Sequence, residues 1–106
     1  MNVAKMHNKI RVAVLMGGPS SEHEISLKSG KMVMLGLDRN KYQLRAVKIS
    51  KKGKWPIIPS ELKKQFDVVF IAMHGEYGED GTVQRILSKY SIPFTGSGTR
   101  ASQIGI

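Results

Sequence analysis

Cysteine is absent from this sequence. Without it there is no disulfide scaffold, no thiolate metal site and no cysteine nucleophile. No apolar run approaches the ~18 residues of a membrane-spanning helix. The opening residues, Met1-Asn2-Val3-Ala4-Lys5, hold neither a hydrophobic signal core nor a cleavage-like segment. A soluble, cytoplasmic protein is the expectation. The chain is also short, 106 residues, and so at most one domain. Val, Ile, Leu and Phe number 28, which clears the share of about one fifth below which chains tend to stay disordered. A folded domain with one modest core follows.

Acids are few, 8 against 17 Lys and Arg, for a net charge of +9. Such an excess ordinarily points to an anionic partner. Its distribution argues otherwise. Nine of the 17 cations fall within 39–64, whereas five of the eight acids (Glu22, Glu24, Glu76, Glu79, Asp80) sit in two glycine-containing segments. Aromatics are only 7% of the chain, and no RNA-recognition or helix-turn-helix signature accompanies the basic stretch. Nucleic acid is therefore not an expected partner, nor is a membrane. The basic middle reads as a solvated face. Its alternative is the surface of a free-standing binding module for an anionic partner.

What is present is a succession of short elements. Residues 10–16 (IRVAVLM) form an almost wholly apolar run ending at Gly17-Gly18, as a strand buried on both faces does. Ser21 and Glu24 have the S-x-x-E spacing of a capping box, which predicts a helix start. Ile25, Met32 and Leu35 are placed on that helix's inner face, with a stop at Gly36. Gly30 weakens the helix by about 1 kcal/mol relative to alanine, which asks what packs closely against it. Tyr42, Leu44 and Ala46 alternate with polar neighbours and predict a strand to about Ile49. Trp55-Pro56-Ile57-Ile58 reads as a short extended edge piece, its tryptophan covering part of the surface. Residues 67–73 (DVVFIAM) repeat the first strand's pattern and open at His74-Gly75. Val83, Ile86, Leu87 and Tyr90 make an amphipathic helical stripe beginning near Gly81. Residues 92–95 give a fourth strand, and a last helix is expected from Thr99.

The order implies an α/β fold: three layers, a mainly parallel, Rossmann-like sheet of about four strands with helices on both faces. In such sheets ligands bind in the crevice at the C-terminal strand ends. The loops after the first strand (17–24), after the 67–73 strand (74–81) and after Pro93-Phe94-Thr95 are expected to converge there. The first segment is not G-x-G-x-x-G and lacks a P-loop lysine. Its two carboxylates already occupy the positive end of the helix and would repel a phosphate. A ligand carrying a cation, such as an amino group, fits better. Glu24 has the spacing of a cap; Glu22 has no capping partner and is the stronger ligand candidate. The second segment is neither an EF-hand nor a zinc motif. His74, at the tip of a buried strand, is either structural or a ligand contact, and Glu79 and Asp80 read as caps of the next helix. Thr95-Gly96-Ser97-Gly98 is a flexible turn. His7 and His23 belong to no constellation and read as solvated.

Three blocks in this order and spacing, GGPSSEHEISLKSG (17–30), HGEYGEDGTVQ (74–84) and IPFTGSG (92–98), closely resemble the N-terminal, pre-ATP-grasp domain of D-alanine–D-alanine ligases. The resemblance runs from about Ile10 to Ser102. Arg85 departs from it, since the family usually has a small residue there, and 103–106 stop where the family's chain continues into further domains. The resemblance implies a peptidoglycan-building, ATP-dependent ligase of cell wall biogenesis. In that family ATP phosphorylates one D-alanine's carboxylate, and the amine of a second attacks the acyl phosphate.

Carried over residue by residue, the resemblance makes Glu22 the glutamate that holds the ammonium of the first D-alanine and His74 the histidine beside its carboxylate. These are the expected catalytic residues. Ile25 and Gly75 join them in the substrate subsite, Ile25 where the methyl group fits. Gly17, Gly18, Ser21, Glu24, Glu79, Asp80 and Gly81 are the supporting loop residues. The family's ATP-binding lysines, magnesium-binding acids and oxyanion-stabilising arginine lie in later domains. Residues 1–106 are thus expected to be a single N-terminal substrate domain without the ATP-grasp domains, with no metal or cofactor of its own and catalytically silent alone. ATP and Mg2+ would serve the complete ligase. The implied partners are D-alanine, the rest of the ligase chain and a possible homodimer.

Overall fold

The computed structural model describes residues 9–96. The expected helix from Thr99 lies outside the described residues. Four strands and three helices alternate: β1 (Ile10–Gly17), α1 (His23–Gly36), β2 (Tyr42–Ile49), α2 (Pro59–Gln65), β3 (Val68–Ile71), α3 (Thr82–Lys89) and β4 (Phe94–Gly96). The strands form one sheet in the order β2-β1-β3-β4, and each neighbouring pair is parallel. β1 is therefore central, paired along its length from Ile10↔Tyr42 to Gly17↔Ile49 and on its other edge from Val12↔Val68 to Leu15↔Ile71. That position accounts for its unbroken apolar run, since it meets protein on both faces.

Alternation along the strands divides the core in two. Ala13, Leu15, Val47, Ile49, Val69 and Ile71 meet Leu62 of α2, Phe66, and Val83 and Leu87 of α3 on one face. Val12, Val14 and Met16 meet Leu27, Val33 and Met34 of α1 on the other. These are the three layers expected from the sequence. Each buried side chain of this size contributes about 1.5–3 kcal/mol through removal from water.

Three local expectations are corrected. Ile25, Met32 and Leu35 do not face inward: they are 50%, 69% and 74% exposed. The buried positions of α1 are Ser26 and Gly30, because the helix lies so close to β1 that only small side chains fit between them. A Cβ on Gly30 would lie 2.6 Å from the Cβ of Met16. The closest stripe therefore carries almost no hydrophobicity to betray it.

The capping box does not form either. α1 starts at His23 with Glu22 at its N-cap position and no side-chain cap, and Glu24 is simply an acid in the first turn. The free N–H of Glu22 is taken instead by Ser20 Oγ at 3.0 Å, while the Ser20 carbonyl accepts the His23 N–H. Ser21 is left exposed. A local serine turn one residue upstream thus replaces the predicted cap.

Finally, 55–58 is not a strand, and α2 follows it. Pro59 in the first turn, with Glu61 near the start and Lys63 and Lys64 at the end, suits a helix and its dipole. Only Leu62 is buried in it, so there was no apolar period to read. Trp55 does cover the surface as expected, half-buried against the α2–α3 side of the core.

Candidate functional site

Because β1 and β3 are neighbours and parallel, the loops that leave their C-terminal ends lie side by side. They are tied together directly: Ser20 Oγ donates to the His74 carbonyl at 3.0 Å. Ser26, fully buried on α1, accepts the His74 N–H at 2.7 Å. One helical turn further on, Ser29 Oγ lies 2.6 Å from His74 Nε2. Three serines of one segment therefore grip three polar atoms of one histidine. His74 is thus a structural corner, with its imidazole partly buried.

Gly75 carries the chain past this corner at φ +78, a left-handed conformation that glycine adopts without penalty. A side chain there has no space in any case, since a Cβ would lie 2.8 Å from Ser20 Oγ and 2.9 Å from Glu22 Cγ. Glu22 thus packs against the His74-Gly75 peptide. The structure brings Glu22, His74 and Gly75 to one place.

Glu79 behaves differently from expectation. It is not a cap of α3, whose N-cap is Gly81 without side-chain help. Its Oε1 accepts the Gly75 N–H at 2.8 Å and its Oε2 lies 3.8 Å from His74 Nδ1. A carboxylate four residues ahead in the loop has folded back to the corner because a turn, not a helix, separates them. Asp80 fulfils the expectation more nearly. It accepts the Thr82 N–H at 2.9 Å and the Thr82 hydroxyl at 2.6 Å. The Thr82 hydroxyl bond, then the backbone of Thr82 and Tyr77, hold its carboxyl below the ordinary aspartate range.

Gly17 and Gly18 turn the chain out of β1, and Gly18 N–H donates to the Ile49 carbonyl at 2.8 Å. His23 is not solvated as expected: its Nδ1 is 2.6 Å from the Gly18 carbonyl oxygen. His7 lies outside the described residues. Ile25 projects from the first turn of α1, half exposed, with no part in the cluster around His74. Trp55 Nε1 donates to the Tyr77 hydroxyl at 2.6 Å, joining the segment after β2 to the β3–α3 loop.

A small polar recess of about 160 Å³ opens between the two loops, lined by Pro19, Ser20, Glu76, Tyr77, Asp80 and Thr82. A larger hollow of about 460 Å³ lies between α1 and β2 and includes Met16, Leu27, Met34 and Ala46. Of the loop residues singled out in the sequence, only Glu24 borders it. Three cations of the basic stretch have partners within the domain. Arg39 donates to the Met34 carbonyl, Arg45 lies over the Phe66 ring, and Lys64 pairs with Glu61. Among the described residues no group of three His, Asp or Glu is placed to hold a metal ion, and no helix is long and apolar enough to cross a membrane.

This arrangement offers an acidic side chain and an imidazole at one strand-end crevice. A family model for the D-Ala–D-Ala ligase N-terminus matches residues 11–63 and 57–97. The chain belongs to this ligase N-terminal family. The D-alanine–D-alanine ligase of Aquifex aeolicus is 48% identical over 97 residues, which are 92% of this chain and 32% of that protein. The ligase of Solibacter usitatus is 42% identical over 102 residues, again 92% of this chain and 31% of the relative. The solved D-alanine–D-alanine ligase of Coxiella burnetii superposes with a TM-score of 0.73 at 29% identity, over 83% of this chain and 35% of that one. The chain therefore spans about a third of the length of the curated ligases it matches.

Sequence reasoning missed the three serines. One signal for two of them was available: polar Ser26 and Ser29 interrupt a helix face that must bury something, three residues apart. Nothing in the sequence shows that their partner lies 45 and 48 residues away.

Proposed function

We propose that this chain is the N-terminal substrate domain of an ATP-dependent D-alanine–D-alanine ligase that serves peptidoglycan synthesis, and that it forms one wall of the site for the first D-alanine. The observation that carries the reading is the meeting of Glu22 with the His74-Gly75 corner. Glu22 would accept the substrate's ammonium in a charge-assisted hydrogen bond, and His74 would stand beside its carboxylate, so that the zwitterion is held in one orientation. Ile25, half exposed on the same first turn, would offer apolar surface to the methyl group once the rest of the ligase closes over it. A cation at Glu22 also suits the local electrostatics, since Glu22 and Glu24 concentrate negative charge at the start of α1.

The Gly17-Gly18 turn does not suit a triphosphate. Glu22 stands at the N-cap position of α1 and Glu24 in its first turn, and His23 holds the Gly18 carbonyl. ATP and Mg2+ are accordingly assigned to the remaining two thirds of the ligase, and the 106-residue chain alone is expected to turn over no ATP. A coupled ATPase assay with D-alanine tests that point, and turnover above background refutes it.

The substrate assignment is tested by Glu22→Gln in a full-length ligase in which this chain replaces the N-terminal third of the Aquifex aeolicus protein. Loss of a charge-assisted bond should raise the Michaelis constant for the first D-alanine on the order of 10- to 100-fold. An unaltered constant in a folded variant rejects the assignment.

A further inference from the structure

We propose that Ser29 is a positioning residue for His74: its hydroxyl donates to Nε2 and thereby holds the neutral imidazole's proton on Nδ1. The 2.6 Å separation of Ser29 Oγ and His74 Nε2 makes a short hydrogen bond, but alone it leaves the direction open. The other side of the ring decides it. Nδ1 faces Glu79 Oε2 at 3.8 Å, and an ionised carboxylate offers lone pairs only. A bare Nδ1 lone pair turned toward that carboxylate would be repelled, whereas an Nδ1–H is attracted. With the proton on Nδ1, Nε2 is the acceptor and the serine hydroxyl is its donor.

The rest of the molecule supports a ring held in one orientation. The His74 N–H is bound by buried Ser26 at 2.7 Å and its carbonyl by Ser20 at 3.0 Å, so the backbone from which the imidazole projects cannot drift. Ser26 and Ser29 lie on the same flank of α1, and the helix that fixes the backbone also fixes the ring. Glu79 is in turn oriented by the Gly75 N–H at 2.8 Å.

The chemical consequence deepens the D-alanine reading and rests on it. A substrate carboxylate needs donors, and a neutral histidine has one. By occupying Nε2, Ser29 assigns that single donor to the edge of the ring that Glu79 faces, so the loop edge of His74 presents N–H rather than a lone pair. The serine then acts on substrate affinity through the histidine without itself touching substrate.

The test uses two measurements on three proteins: the native chain, Ser29→Ala and Ser29→Thr. Two-dimensional nitrogen–proton spectra of the histidine rings, recorded across a pH series and read where the ring is neutral, report which ring nitrogen carries the proton. The native chain and Ser29→Thr should show His74 with Nδ1 protonated. Ser29→Ala keeps only the bias set by Glu79 and should show a smaller Nδ1-protonated fraction, while its amide spectrum remains that of the folded chain. An identical tautomer fraction in native and Ser29→Ala, or an Nε2-protonated ring in the native chain, overturns the proposal.

The same variants in the full-length chimera separate this proposal from the reading beneath it. Ser29→Ala should raise the first-site Michaelis constant about 2- to 10-fold with little change in kcat, as loss of one ordinary hydrogen bond would, and Ser29→Thr should restore it. A shifted tautomer with an unchanged constant upholds Ser29 as the positioning residue and removes D-alanine from His74.

Discussion

Gly30 rests against Met16 so closely that a Cβ on the glycine would lie 2.5 Å from the methionine Cε, 2.6 Å from its Cβ and 2.6 Å from its sulfur. This contact sets how near α1 comes to β1. It therefore sets where Ser26 and Ser29 stand relative to the tip of β3.

Gly30→Ala tests that contact. Alanine gains about 1 kcal/mol in helix propensity, but overpacking a tight interface costs about 1–3 kcal/mol. The Met16 tip can swing aside; its Cβ, fixed to the central strand, cannot. The overpacking should win, with a net loss of up to about 2 kcal/mol in urea unfolding. A stabilised variant would mean that the helix can lift from the sheet.

Gly75→Ala should be worse for the site than for the fold. At φ +78 alanine is strained, and its methyl would press on Ser20 and Glu22. A loss of about 1–3 kcal/mol is expected, together with shifted amide resonances at Glu22 and His74 in the folded variant. Unshifted resonances there would show that the two loops are not in contact in solution.

Leu62→Ala measures how α2 is held. This leucine is fully buried and is the sole buried residue of its helix, so its removal leaves a cavity. Denaturant unfolding should show a loss of about 2–5 kcal/mol. A cost below that range would mean that Phe66, directly after the helix, closes the gap.

Asp80 predicts a pH effect. Its carboxyl is held below the ordinary value of 3.8 by the Thr82 hydroxyl first and by backbone bonds second. A depressed folded value means stability that is present above the unfolded pKa and lost as pH falls through the folded one. Asp80→Asn cannot ionise, so its deficit in melting temperature relative to native should be full at pH ~7 and shrink as pH drops below about 4. A constant deficit across that range would show that the charge contributes nothing.

Arg11 and Asp67 form a surface ion pair. It is bidentate, with Arg11 Nη2 at 3.0 Å and Nε at 3.2 Å from the carboxylate oxygens. The Asp67 hydrogen bond also raises the arginine's pKa. Yet both side chains are nearly half exposed, and solvent screening keeps such a pair within about 1 kcal/mol.

The sequence by itself determined the elements whose signal is local. Unbroken apolar runs ending in glycine located β1 and β3, alternation located β2, and a four-residue stripe located α3. The order of these elements then sufficed for a parallel three-layer α/β sheet, since crossovers have one hand. Glu22 and His74 stood out as candidates because they lie at strand ends, where such a sheet puts its crevice; the assignment of Glu22, His74 and Gly75 to a substrate subsite came from the resemblance.

Only the tertiary structure decided what depends on distance between elements. The inner face of α1 is Ser26 and Gly30 rather than Ile25, Met32 and Leu35, because close packing selects small side chains and hydrophobic periodicity cannot register them. Ser20, not Ser21, turns the chain into α1, because its hydroxyl also has the His74 carbonyl to bond. Glu79 leaves the helix it seemed to cap, because the His74-Gly75 corner supplies an N–H within reach. In each case a partner dozens of residues away, or a gap too narrow for a large side chain, outweighed the local preference that a sequence displays.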